Sequence, residues 1–239
     1  MKEKAFTLAE VLITLGIIGI VAALTLPTIV QKQNKKSLEV AFKKAYANFY
    51  NAYNKARINE PPLWDETNDI NPEPELAKAI YAEYKHIKKI NKKDNEKYIN
   101  HLKTYTLKKG EFPECSQIFR NEGSVITPDG SAVSVSQNCS TNWVVIDTNG
   151  LYKGPNAYGH DLFIFTISQQ GIFLPAERES EGAYDEEGNR LPGYNDTEET
   201  RNKCSKNSVS RVNGVTCTKF ALSDTCPDNP KKGYWECLP

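Results

Sequence analysis

Twenty consecutive residues, Val11 to Val30, carry no charge, and the residue just before them is Glu10. A run of that length is about what a helix needs to cross a bilayer. A carboxylate at its edge is expensive, and by default it marks a function and calls for a named partner. A secretory signal has a shorter apolar stretch, of about 7–15 residues, and a small-residue cleavage site beyond it. This run is longer, and no A-x-A precedes a polar stretch. The segment reads as an anchor with a misplaced acid.

The rest of the chain is polar. It has 239 residues, enough for one domain or two small ones, with a net charge of +0 and a mean hydropathy of −0.57. No basic tract or nucleic-acid fingerprint is present, so no nucleic-acid partner is expected. Six cysteines, Cys115, Cys139, Cys204, Cys217, Cys226 and Cys237, all lie outside the apolar run. None forms C-x-x-C or a zinc spacing. Their even number in the polar part points to disulfides in an oxidising compartment. Of the 15 pairings six cysteines allow, the sequential one (Cys115–Cys139, Cys204–Cys217, Cys226–Cys237) closes the shortest loops. Lys32, Lys35 and Lys36 after the span outnumber Lys2 and Lys4 before it, which by local charge would keep the polar part in the cytoplasm. Charge counts lose force when a long domain follows, and the cysteines place that domain outside.

The helical pattern outlasts the apolar run. Leu38, Phe42, Ala45, Phe49, Ala52 and Ala56 recur in steps of four and three, which marks one helix face, and Tyr46, Tyr50 and Tyr53 widen it. Pro61-Pro62 ends the pattern. One helix is therefore expected from Phe6 to Ile58, roughly 80 Å long at 1.5 Å per residue, apolar all round at first and amphipathic later. Pro27 should kink or loosen it, and Gly16 and Gly19 offer a close-approach surface. A second helix is expected over 72–92, with a basic outer side at Lys85, Lys88, Lys89, Lys92 and Lys93. Beyond it the pattern turns to strands: 124–127 and 132–135 around Pro128-Asp129-Gly130, then 143–146, then 162–167 and 172–174 around Gln169-Gln170-Gly171. Short strands with tight turns imply an antiparallel sheet covered on one face by the amphipathic half of the first helix. Residues 175–203 read as an exposed acidic loop, with a short hairpin at Asp185–Asn189, and 204–237 as loops stapled by cysteines.

Asp147-x-Asn149-Gly150 and Asp161 raise two readings: hard oxygen ligands for Ca²⁺, or residue types that simply make turns. His86, His101 and His160 are scattered, and no catalytic motif accompanies them, so no enzymatic activity is expected.

The stretch Lys4-Ala5-Phe6-Thr7-Leu8-Ala9-Glu10, followed by the uncharged run, resembles the class III signal of type IV pilins and type II secretion pseudopilins. The resemblance implies cleavage between Ala5 and Phe6 by a membrane prepilin peptidase, and N-methylation of Phe6. Glu10 matches the family's glutamate four residues past the methylated position, and Pro27 its helix-breaking proline. The implied fold is an α+β lollipop, a long helix on a small antiparallel sheet with disulfide-stapled C-terminal loops. The implied organisation is a leader at 1–5, a membrane and assembly half-helix at 6–30, an amphipathic half at 31–60, and a globular domain at 61–239. Major pseudopilins can carry calcium in a loop comparable to that of Asp147, Asn149 and Asp161.

The resemblance also supplies a partner for Glu10. Cleavage exposes an ammonium on Phe6, and the Glu10 carboxylate of one subunit can meet the Phe6 amine of its neighbour, setting axial register. Removing one member of such a buried pair costs about 3–5 kcal/mol. The expected partners are thus like subunits, the peptidase, an inner-membrane assembly platform and the bilayer itself. The expected location is a single pass through the inner membrane, with the domain periplasmic or extracellular. The competing reading is a singly anchored extracytoplasmic binding module.

Overall fold

The computed structural model describes residues 7–59, 75–84, 88–90, 104–110, 124–138, 141–150, 152–168, 170–176, 204–208 and 213–239. The chain divides into two compact units, Met1–Ser37 and Leu38–Pro239. Ala5, Phe6, Cys115, Cys139, the acidic loop and its expected hairpin lie outside the described residues.

Helix α1 (Leu8–Ile58) runs through both units. In the first unit none of its described residues is buried, and the large apolar side chains from Leu8 to Val30 are exposed. By length and composition this stretch can cross a membrane. Pro27 lies inside α1, which continues past it; its ring denies the carbonyl of Ala23, four residues earlier, its usual amide. Nearby, Thr25 Oγ1 donates to the carbonyl of Val21 at 2.8 Å.

In the second unit α1 becomes one-sided. Phe42, Ala45, Phe49, Ala52, Tyr53 and Ala56 are buried, the face set by the steps of three and four. They lie on a six-stranded, wholly antiparallel sheet in sequence order: β1 (Lys88–Ile90), β2 (Ser124–Ile126), β3 (Ala132–Asn138), β4 (Thr141–Asp147), β5 (Leu162–Ile167) and β6 (Phe173–Pro175). Cross-strand neighbours Val125↔Val133, Val133↔Ile146 and Ile146↔Phe163 share the face toward α1. Phe42 lies 4.4 Å, ring to ring, from Phe163, and Phe49 4.8 Å from Phe173. The opposite face is covered as well: Ala132, Val145, Leu162 and Ile164 form a second core with Tyr158, Ala176 and Val215. This explains why β5 is an almost unbroken apolar run rather than an alternating one.

The helix expected over 72–92 is shorter. Helix α2 covers Glu75–Glu83, and Lys88–Ile90 is instead the edge strand β1, paired with β2 from Lys88↔Ile126 to Ile90↔Ser124. Two effects explain the difference. Lysines at positions 85, 88, 89, 92 and 93 stand three or four apart, and like charges at that spacing destabilise a helix. A lysine-bearing edge strand, by contrast, protects a sheet from further pairing, and here it buries only Ile90.

The C-terminal residues form helix α3 (Cys217–Ser223) and the single turn α4 (Tyr234–Cys237). Disulfides Cys204–Cys217 and Cys226–Cys237 tie them down. Loops of 13 and 11 residues correspond to about 3 kcal/mol each in the loop-entropy picture. Trp235 of α4 reaches the helix core, 5.5 Å from Phe42.

Two turns fasten α1 to the sheet. In the β5–β6 turn, Tyr53 Oη donates to the carbonyl of Gly171 at 2.7 Å. Gly171 has φ +74°, and a Cβ there would lie 2.9 Å from the Arg57 guanidinium. In the β2–β3 turn, Asp129 Oδ1 accepts from the hydroxyls of Thr127 and Ser131. Its Oδ2 accepts from Asn48 Nδ2 at 2.8 Å and lies 3.8 Å from Lys44 Nζ. Burial opposes the charge on Asp129, but these donors and Lys44 together hold its carboxyl below the usual range.

Two outcomes follow from this packing. Phe42→Ala should cost about 3–5 kcal/mol in denaturant unfolding, as large core truncations do; a loss below 1 kcal/mol would show that the α1–β5 contact is not central. Because the pKa of Asp129 is depressed on folding, its contribution is present above the unfolded value of about 3.9 and is lost as pH falls through the folded value. Melting curves between pH 6 and pH 2 should therefore fall less steeply for Asp129→Asn than for the parent chain, and identical slopes would contradict this role.

Candidate functional site

Two places bring together the residues singled out in the sequence. The first is the start of α1. Thr7 is the residue before the helix, and Glu10 is its third residue. The Thr7 backbone N–H and hydroxyl both donate to Glu10 Oε2 at 2.8 Å, and the Glu10 N–H donates to Thr7 Oγ1 at 3.3 Å. This is a reciprocal capping box, which satisfies amides that a helix start otherwise leaves open. Glu10 is therefore not the partnerless acid it looked. Oε2 is held locally, while among the described residues Oε1 accepts no hydrogen bond, and the whole side chain is exposed. Thr7 was not singled out in the sequence, although T-x-x-E before an apolar run is a legible signature.

The second place is the β4–β5 connection, where the fold gathers Asp147, Asn149 and Asp161. Asp147 ends β4, opposite Leu162 at the start of β5, so the register of the hairpin sets the two acids side by side. Thr148 N donates to the carbonyl of Asp161 at 2.8 Å, closing the loop at its neck. Asp147 Oδ1 accepts from the backbone N–H groups of Asn149 and Gly150 at 3.1 and 2.8 Å. Asp161 takes three donors: Ala157 N on Oδ1 at 2.6 Å, and Asn156 N and Asn149 Nδ2 on Oδ2 at 2.9 and 3.1 Å. Gly150 is required here. Its φ is +95°, and a Cβ would lie 2.3 Å from the carbonyl oxygen of Gly130. Asn156, at φ 51°, turns its amide back toward Asp161.

Both carboxylates are fully buried. Burial, reinforced by the charge of Asp161, pushes the Asp147 carboxyl up to about 7 against the pull of its two amide donors. Burial likewise raises Asp161, against its three donors. No lysine, arginine or histidine forms an ion pair with either among the described residues. Asp147 Oδ2 and Asn149 Oδ1 are buried with no hydrogen-bond partner. Orphaned buried oxygens of this kind are costly, and an oxygen-only donor set beside two acids suits a hard cation such as Ca²⁺. No cluster of three or more His, Cys, Asp or Glu forms among the described residues, so amide and backbone oxygens would have to complete the shell. His160, two residues past Tyr158, turns elsewhere, with Nε2 3.2 Å from the carbonyl of Leu107.

No curated protein and no solved structure matches the chain significantly. Residues 1–26 match the family described as the prokaryotic N-terminal methylation motif. That segment ends one residue before Pro27 and contains the whole capping box and most of the uncharged run. The chain thus carries the prepilin-type signature of type IV pilins and pseudopilins at its N-terminus.

Proposed function

We propose that the chain is a structural subunit of a type IV pilus or type II secretion pseudopilus. The observation that carries this reading is the methylation motif at residues 1–26, which leads into a helix able to span a membrane. Prepilin peptidase cuts between Ala5 and Phe6, and Phe6 becomes the N-methylated terminus. Before assembly the subunit sits in the inner membrane by one pass, with the disulfide-bonded unit outside the cytoplasm. The assembly platform then lifts it into a fibre of like subunits.

Glu10 has a distinct part in that step. The capping box fixes the carboxylate through Oε2, so Oε1 is held in a set direction for the Phe6 ammonium of a neighbouring subunit. Preorganisation of this kind removes the entropy of ordering a glutamate side chain, about 1.5–2 kcal/mol. In the surrounding of packed apolar helices the pair is strong in one register only, and an unpaired charge there is heavily penalised.

The β4–β5 loop is read as a structural Ca²⁺ site held by Asp147, Asn149 and Asp161. When bound, the ion supplies positive charge to a pair of buried acids and so locks the loop.

Mass spectrometry of the protein from cells with an active prepilin peptidase should give a chain starting at N-methylated Phe6. A mature chain starting at Met1 would overturn the reading and favour a permanent anchor. Glu10→Val should be cleaved normally yet fail to enter filaments, scored by sheared-fibre fractionation. Wild-type filament yield from that variant would remove the role given to Glu10.

A further inference from the structure

The uncharged run of α1 ends at Val30, and the next residues, Gln31-Lys32-Gln33-Asn34-Lys35-Lys36, are all polar. Between Glu10 and Glu39 the chain has no acid, so Lys32, Lys35 and Lys36 are the only charges in that interval. Glu39 itself accepts from Lys43 Nζ at 2.6 Å. Helix α1 continues unbroken through the stretch, with Lys32 and Lys36 exposed and Lys35 half-buried. At 3.6 residues per turn the three lysines share one face, within about 100° of arc. They stand about 3–9 Å past Val30 along the axis, at 1.5 Å per residue. The headgroup layer of a bilayer is about 5–8 Å deep on each side of the hydrocarbon, so a run that fills the hydrocarbon sets the lysines at that level. Their apolar stems can lie along the run while the ammonium groups settle among the headgroups.

We propose that Lys32, Lys35 and Lys36 form a binding face for anionic phospholipid headgroups, on the side of the membrane that carries the polar unit. This rests on the membrane-spanning reading given above. That reading puts this end of the span outside the cytoplasm, where flanking lysines are normally scarce, so a cluster of them calls for a compensating contact. Lipid phosphates supply it. Each ammonium offers three N–H donors, and a lipid with net negative charge, such as phosphatidylglycerol, neutralises the face where a zwitterionic lipid does not. Attraction of this kind is worth about a fivefold gain in binding per lysine close to the surface. The contact holds the span at one depth in the bilayer. It must also break when the helix leaves the bilayer, so it sets how firmly an unassembled subunit is retained.

The test uses the full-length chain in detergent with equal amounts of phosphatidylglycerol and phosphatidylcholine of the same acyl chains, and native mass spectrometry to count the lipids retained. The parent chain should hold the anionic lipid in preference to the zwitterionic one by about fivefold or more. Lys32→Gln, Lys35→Gln and Lys36→Gln should each reduce that preference, by up to about fivefold, and the triple variant should show none. Lys55→Gln, far along α1 from the uncharged run, should leave it unchanged. Because none of the three lysines is buried, the variants should melt like the parent chain. Sodium chloride at about 0.5 M should weaken the preference by screening. Equal retention by the parent and the triple variant would overturn the proposal. So would a preference lost in sodium phosphate but kept in sodium chloride of the same ionic strength, which would mark a site for free phosphate instead of lipid. The membrane reading is checked separately, by alkaline extraction of cells. A parent chain released into the soluble fraction would sink that reading and this inference with it, whereas a chain that stays with the membrane but shows no anionic preference sinks this inference alone.

Discussion

Phe42 of α1 packs against Phe163 of β5 and Trp235 of α4 at once. Through that contact the middle of the chain and its C-terminus are attached to one helix. Tyr46, Phe49 and Tyr53 extend the contact along α1 to Phe165 and Phe173. Each such aromatic buries a large apolar area, and paired rings add about 0.5–1.5 kcal/mol beyond it. A sheet of short strands cannot hold itself together, since three or more strands need an apolar face packed on something. Here the second half of α1 is that something. The disulfides play a supporting part: they hold α3 and α4 where Trp235 and Tyr234 can complete the core, and Tyr234 in turn donates its hydroxyl to the carbonyl of Gly159, just before Asp161.

The same chain treats its acids in three ways. Glu10 is exposed and rests on local donors at a helix start, where the dipole also favours negative charge. Asp129 is half-buried and held by hydroxyls, Asn48 and Lys44, so its charge is an asset to folding. Asp147 and Asp161 are fully buried, next to each other, with amides but no basic partner among the described residues. Only the last arrangement leaves a buried carboxylate oxygen, Asp147 Oδ2, without a hydrogen-bond partner among the described residues.

Much of the fold was legible because its signals are local. The three-and-four spacing from Leu38 to Ala56 named the buried face of α1, and Pro-Asp-Gly and Gln-Gln-Gly marked two hairpins. The strand β1 was misread because Leu76, Ile80, Tyr84 and Ile87 prolong a helical period across residues that the charges of neighbouring lysines turn away from helix. The candidate cation loop was half legible. Asp147, Asn149 and Gly150 lie close in sequence, and Asp161 could be suspected. That Asp161 grips Asn149 across 12 residues, and that Asp147 keeps one oxygen unclaimed, depends on hairpin register, which no local pattern states. The link from Asn48 to Asp129, 81 residues apart, is of the same kind. At the N-terminus the reverse held: both the motif and the T-x-x-E pattern of the Thr7 capping box are local and stand in the sequence itself.

The loop and the core are joined by one strand pair. Asp147 and Leu162 are the last partners of the β4–β5 ladder; Leu162 points into the second core, while Asp147 begins the polar loop. A one-residue slip would exchange the two faces of a strand, sending either Ile146 or Phe163 away from α1 and shifting one acid relative to the other. The apolar pairing that seats α1 therefore also fixes the spacing of Asp147 and Asp161. The hydrogen bonds that Asp147 and Asp161 accept across the loop favour the same register, so loop geometry and packing of the helix stabilise one arrangement of the sheet together. That shared register links the loop at one end of the hairpin to the face on which α1 rests.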